Sequence, residues 1–261
     1  MMKSCSISLI AIAGLAACQP ATQTDERTYL PGNEIKSGFD FLTQSTQEQQ
    51  QDTFENPGFL WVERGDSLFS SAEQSSPSCA DCHDDGLKGV AANYPAWNED
   101  TKTLQNLEAR INYCRTEYQD LPKLEYESED LLSLTAYVSN QSLGMPVSVE
   151  LSDQTKENYD NGERYFFTRR GQLNLSCEQC HNENWGKKLR GDMISQGHGN
   201  GFPAYRFEWQ TLGSLHRRLH DCDTGVRAEP YPLGSQTYID LEFYLAIRAS
   251  GLSIETPAIR R

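Results

Sequence analysis

The chain has 261 residues, room for one large domain or two small ones. Hydrophobic residues make up 37% of it, low for a core that must support itself, so an additional apolar group inside the fold would make up a shortfall. The formal net charge of −14 argues against nucleic acid, whose phosphates would be repelled.

Residues 1–18 read as an export signal. Lys3 supplies a short positive region, and Ile7 to Leu15 supply an apolar stretch too short to span a membrane. Leu15-Ala16-Ala17-Cys18 also has the form of a lipoprotein signal, in which Cys18 is lipidated after cleavage. Ordinary cleavage nearby is the alternative, and the chain meets a membrane only if Cys18 is lipidated. Either route leads out of the cytoplasm, to the periplasm. Residues 19–55 are rich in Gln, Thr, Glu and Asp and read as a mostly irregular extension, with one helix around Thr43 to Phe54. Two units follow, 56–149 and 150–261.

Of the eight cysteines, Cys5 and Cys18 belong to the signal region. Four more form Cys79-Ala-Asp-Cys82-His83 and Cys177-Glu-Gln-Cys180-His181. In a CxxCH motif the two thiols form thioethers with haem vinyl groups, and the histidine that follows is held under the iron. Zinc would need further ligands at regular spacing, and a disulfide would leave the histidine unexplained. Two such motifs behind an export signal predict two covalently bound haem c groups, with His83 and His181 as proximal ligands.

The two units repeat one another. Gly65-Asp-Ser-Leu-Phe69 precedes the first motif as Gly162-Glu-Arg-Tyr-Phe166 precedes the second, where an N-terminal helix is expected. Tyr94-Pro95-Ala96-Trp97 matches Phe202-Pro203-Ala204-Tyr205. The match then runs without a gap through Leu104/Leu212, Leu107/Leu215, Arg110/Arg218, Cys114/Cys222 and Thr116/Thr224. Two apolar-periodic helices close the units, Asp130 to Asn140 and Ile239 to Ala249, with Gly144 and Gly251 placed to cap them. Strand signals are weak. The expected fold is mainly α, two tandem cytochrome c-type haem domains related by internal duplication.

A low-spin cytochrome needs a second axial ligand. Met145 and Met193 are not repeated between the units, whereas cysteine is. Cys114 lies 31 residues after His83 and Cys222 lies 41 after His181, and the second unit carries an insertion of matching size. Both cysteines should therefore reach the same place over their haems, where a thiolate lowers the potential of the iron. A Cys114–Cys222 disulfide is the alternative in an oxidising compartment. Arg110 and Arg218 lie one helical turn before these cysteines, placed either to favour thiolate or to pair a haem propionate.

The copies differ around the cysteine. His198, His216 and His220, every histidine outside the two motifs, fall in the second unit, as do Lys187, Lys188, Arg190, Arg206, Arg217 and Arg218. An acidic chain has gathered cations beside one haem, which suits a small anion such as an oxo-sulfur species.

Both motifs, R-I-x-x-C at Arg110 to Cys114, R-R-L-x-x-C-D at Arg217 to Asp223, and the closing Gly251-Leu-Ser-Ile-Glu-Thr-Pro257 resemble the SoxA family, the dihaem subunits of SoxAX cytochromes of thiosulfate oxidation. The resemblance runs from about residue 58 onward. It implies His83/Cys114 and His181/Cys222 as axial pairs, and a SoxX cytochrome subunit that receives electrons. It also implies thiosulfate as substrate, coupled to a cysteine of the SoxYZ carrier protein by an L-cysteine S-thiosulfotransferase. In the family the second-unit cysteine is active and can carry a persulfide, which maps onto Cys222. Arg218 is then the residue expected to hold the sulfonate. Two other readings stay open: a dihaem electron-transfer protein without substrate chemistry, and a dihaem peroxidase, which would need an easily vacated iron.

Overall fold

The computed structural model describes residues 34–73, 75–84 and 86–261. The export signal and Cys18 lie outside the described residues. Among the described residues no helix is long and apolar enough to cross a membrane.

A 3-10 turn (Gly38–Phe41) leads into helix α1 (Gln44–Gln51). The first unit follows with α2 (Phe59–Ser70), α3 (Cys79–Cys82), hairpin β1 (Ala96–Asn98) and β2 (Thr103–Gln105), α4 (Leu107–Tyr118) and α5 (Glu129–Asn140). The second unit has α6 (Lys156–Phe167), α7 (Cys177–His181), hairpin β3 (Lys188–Leu189) and β4 (Asp192–Met193), then β5 (Ala204–Arg206) and β6 (Thr211–Gly213), α8 (Leu215–Gly225), α9 (Gln236–Arg248) and β7 (Ala258–Arg260).

The repeat read from the sequence is a repeat of structure. In each unit the first long helix crosses the last, and a glycine sits at the crossing. A methyl on Gly65 would come within 2.1 Å of the Ser133 carbonyl oxygen, and one on Gly162 within 2.2 Å of that of Asp240. The backbones therefore approach more closely than any side chain permits. The Tyr94-Pro95 and Phe202-Pro203 bonds are both cis, and each precedes a hairpin, Trp97 opposite Leu104 and Tyr205 opposite Leu212. These hairpins were not expected, because three-residue strands are too short to show an alternating pattern. Each hairpin delivers the chain to a capped helix. Asn106 Oδ1 accepts from Ala109 N–H at 3.1 Å to start α4, and Ser214 Oγ accepts from Arg217 N–H at 3.1 Å to start α8.

Gly144 and Gly251 do adopt positive φ, +77° and +87°. They do not cap the helices as expected, since α5 ends at Asn140 and α9 at Arg248. They shape the turns that join the units. Gly144 N–H donates to Ile254 O, Val147 N–H to Leu252 O, and Gly251 N–H back to Val147 O. Segment 34–55 is held against the second unit: Gln196 Nε2 donates to Glu34 O at 3.0 Å, and Gln50 Oε1 accepts from Ile259 N–H at 2.9 Å. The core runs through both units, with Leu104, Val147, Phe166, Phe243, Tyr244 and Ile254 in one buried cluster.

Candidate functional site

Each CxxCH motif begins behind a serine. Ser78 N–H donates to Asp81 Oδ2 at 2.8 Å, and Asp81 N–H returns a bond to Ser78 Oγ at 3.2 Å. Ser176 N–H donates to Gln179 Oε1 at 3.0 Å. These capping pairs start a single helical turn in each unit. One turn puts the two cysteines on one side and ends at the histidine.

The His181 ring is fixed from outside its own turn. Its Nδ1 lies 2.8 Å from the Ser195 carbonyl oxygen. A carbonyl can only accept, so Nδ1 carries the proton and Nε2 keeps a lone pair for a metal. Burial pushes the His181 pKa down to about 4 against the opposing pull of the Ser195 bond, and the Arg218 and Arg248 cations act in the same direction as burial. The ring is neutral and able to ligate at neutral pH. Gly197, at φ +79°, passes so close that a methyl would stand 2.8 Å from His181 Cγ. In the first unit His83 packs near-parallel to Phe69, ring centroids 6.3 Å apart.

Cys114 on α4 is within electrostatic reach of Cys79 and Cys82, and Cys222 on α8 within reach of Cys177 and Cys180. All six described cysteines are free, so Cys114 and Cys222 form no disulfide. Burial raises the Cys79, Cys114 and Cys180 thiols, and lifts Cys177 to about 12 with help from Cys222 and Asp223. Among the described residues no three His, Cys, Asp or Glu side chains converge as a zinc site would require. Two cysteines on one turn, an imidazole with an open Nε2 and a further thiol within reach are a donor set that suits a c-type haem. The residues present fit that group.

The cations of the second unit divide by their partners. Arg206 is buried, bonded to Glu208 Oε2 at 2.6 Å and stacked on Trp209. Arg217 stacks on the same ring and lies 3.8 Å from Glu127 Oε2. Lys187 donates to Asn184 Oδ1 at 2.7 Å, and the buried Arg248 to Asn182 Oδ1 at 2.8 Å. Arg218 is half-buried, one helical turn before Cys222, and no carboxylate among the described residues pairs with it. Its charge acts on His181 and on Glu208, with no ion pair formed to either. Arg110 in the first unit stacks over Tyr113.

The three remaining histidines part company. His216 points away from Cys222, towards the first unit. It stacks on Tyr126 with centroids 5.3 Å apart, accepts Gly234 N–H at Nδ1 at 3.0 Å, and has Nε2 3.0 Å from Glu242 Oε2 without the alignment of a hydrogen bond. His198 is buried, its Nε2 3.2 Å from Gln196 Oε1 and its Nδ1 unpartnered, and burial holds its pKa down to about 3. His220 is half-buried on α8.

Sequence reasoning gave Asp223 no role beyond its place in the R-R-L-x-x-C-D segment, although it follows the repeated cysteine directly. Its Oδ2 accepts from Tyr165 Oη at 2.6 Å and Tyr238 Oη at 2.7 Å, with Arg170 Nη2 at 3.7 Å. An acid next to a repeated cysteine was the available sign, but its partners lie too far along the chain to be read locally.

Comparison with known proteins places these features in context. The family described as SoxA/TsdA, cytochrome c domain, matches residues 64–147. The L-cysteine S-thiosulfotransferase subunit SoxA of Pseudaminobacter salicylatoxidans is 42% identical over 236 residues, 88% of this chain and 82% of that protein. The subunit of the same name from Rhodovulum sulfidophilum is 38% identical over 232 residues, 87% of this chain and 81% of that protein. The crystal structure of SoxXA from P. pantotrophus superposes with a TM-score of 0.83 at 35% identity, covering 87% of both chains.

Proposed function

The chain belongs to the SoxA family, and from that premise we propose that it is the catalytic subunit of an L-cysteine S-thiosulfotransferase, acting with a SoxX cytochrome on thiosulfate and the SoxYZ carrier. It is exported to the periplasm. Each unit holds one haem c, through Cys79 and Cys82 in the first and Cys177 and Cys180 in the second. His83 and Cys114 ligate the first iron, His181 and Cys222 the second. Bound there, the haems supply acceptors for single electrons and a route to the partner cytochrome.

The overall reaction joins the sulfane sulfur of thiosulfate to the carrier's cysteine thiolate. One S–S bond forms, no S–S bond is lost, and two electrons leave for the partner cytochrome. Cys222 supplies the sulfur that receives the sulfane sulfur and hands it to the carrier cysteine. Arg218 holds the sulfonate end by charge-assisted hydrogen bonds. The Ser195 carbonyl and Gly197 keep the His181 ring oriented throughout.

The observation that carries this reading is the asymmetry between the units. Among the described residues Arg218 makes no ion pair or ring contact and its charge reaches His181, whereas Arg110, also without an ion pair, is stacked on Tyr113 beside Cys114. Pure electron transfer needs no such difference. The test is Cys222→Ala in holoprotein with both haems attached. Thiosulfate-dependent turnover should disappear, and full activity in that variant would return the protein to the electron-transfer class.

A further inference from the structure

The residue after each distal cysteine is a buried ion, and the two ions have opposite sign. In the first unit it is Arg115, whose Nη1 lies 2.8 Å from Glu73 Oε1 and whose Nε donates to Pro122 O at 3.2 Å. In the second it is Asp223, with Arg170 Nη2 at 3.7 Å. Glu73 lies four residues after Phe69, and Arg170 four residues after Phe166, so the partners occupy equivalent places too. The duplication has kept one bridge, from the distal-cysteine helix to the chain leaving the first long helix, and exchanged its charges.

The second bridge differs in what it joins: Arg115 bonds to Glu73 and to the Pro122 carbonyl, whereas Asp223 engages side chains of two helices. Asp223 is 5% exposed and takes hydroxyl bonds from Tyr165 on α6 and Tyr238 on α9. The equivalent positions in the first unit are Leu68 and Leu131, which have nothing to donate. Arg170 is itself held, its guanidinium 4.4 Å from the Tyr165 ring centre and 4.9 Å from that of Tyr231. One carboxylate thus ties α8 to both helices that cross at Gly162. A buried carboxylate left without these donors would be costly, so the three partners and the acid act as a unit.

We propose that Asp223 is a positioning residue, whose carboxylate, gripped by Tyr165, Tyr238 and Arg170, fixes the end of α8 and with it the place of the Cys222 sulfur. This rests on the reading of Cys222 as the iron-bound, sulfur-accepting thiol. A cysteine that must both ligate and react tolerates little displacement, which accounts for an anchor spanning two helices in the unit that does chemistry, where the other has an ion pair and one bond to a loop carbonyl.

The experiment uses holoprotein with its partner cytochrome. Tyr165→Phe, Tyr238→Phe, the double variant, Asp223→Asn and Asp223→Ala are compared by low-temperature EPR of the oxidised form and by turnover. Haem content and far-ultraviolet circular dichroism identify any variant that fails to fold. The double variant and Asp223→Ala should broaden or shift the low-spin signal of the second haem, leave that of the first unchanged, and lower turnover about 10- to 100-fold, as loss of an outer-shell partner does. Asp223→Asn, which still accepts from the tyrosines, should lose less than Asp223→Ala. A parent thiolate signal that no folded variant alters, with turnover retained, would overturn the proposal alone. A parent protein without a thiolate-ligated second haem would overturn the ligand reading and this proposal together.

Discussion

His181 donates its Nδ1 proton to the carbonyl of Ser195, 14 residues further along the chain, across 2.8 Å. The bond leaves Nε2 as the only nitrogen able to meet a metal, and it ties the ring to the loop that leads to Pro203. Gly197 packs against the same edge of the ring, beside Cγ and Nδ1. Replacing Gly197 with Ala would put a methyl 2.8 Å from His181 Cγ at a backbone φ of +79°. The ring must then turn or the loop must move. Gly197→Ala should perturb the EPR signal of the second haem and not the first, with haem attachment retained. An unchanged second signal would show that the loop does not set the ring.

Arg218 differs from its neighbours in having no carboxylate partner among the described residues, while Arg206 and Arg217 are engaged with Glu208 and Glu127. A hydrogen bond to a charged group contributes roughly 1.5–3 kcal/mol. Arg218→Ala should therefore lower kcat/KM for thiosulfate about 10- to 100-fold. Arg218→Lys keeps the charge but loses the forked geometry, and should fall between. Steady-state kinetics on holoprotein checks both. A loss of equal size in Arg217→Ala would mean that general cationic attraction, and not Arg218, recruits the anion.

The glycines at the two helix crossings make a prediction about stability. Ala at Gly65 or Gly162 would press a methyl to 2.1 or 2.2 Å from a backbone oxygen of the facing helix, where no flexible side chain can yield. Overpacking of this kind costs about 1–3 kcal/mol. Each variant should melt at lower temperature in a thermal scan followed by circular dichroism. Gly225→Ala, which meets nothing within 4 Å, is the control.

Glu108 and Glu242 face one another where the units meet, with Glu127, Tyr126 and His216 around them. Burial, followed by the repulsion of Glu242, pushes the Glu108 pKa up from 4.5 to about 8. Between these values the folded chain keeps a proton that the unfolded chain releases. The contribution to stability is fullest below about pH 4.5 and is lost as pH rises through about 8. Glu108→Gln cannot ionise, so its advantage over the parent should grow from pH 5 to pH 8.5. Parallel melting curves across that range would place the burial cost elsewhere.

What the sequence determined by itself is what local chemistry and counting can carry. CxxCH needs only neighbouring residues to state its purpose. The duplication is legible because Leu104 to Thr116 and Leu212 to Thr224 run in step, and that step alone brought Cys114 and Cys222 to equivalent places. The closing helices α5 and α9 followed from apolar periodicity and α2 and α6 from the repeated segment before each motif, while the short hairpins at β1–β2 and β5–β6 left no pattern long enough to see.

What only the tertiary structure decided is how the charged and polar groups are spent. Six cations cluster in the second unit, and their order along the chain does not say that Arg206 is taken by Glu208, Arg217 by Trp209 and Glu127, and that Arg218 is left beside Cys222. Nor does it say that His216 faces the other unit or that Asp223 is gripped by Tyr165 and Tyr238. The reason is physical. A hydrophobic stripe or a covalent motif is set by residues a few positions apart, but a buried charge must find its partner wherever the fold brings one, and Tyr165 lies 58 residues from Asp223.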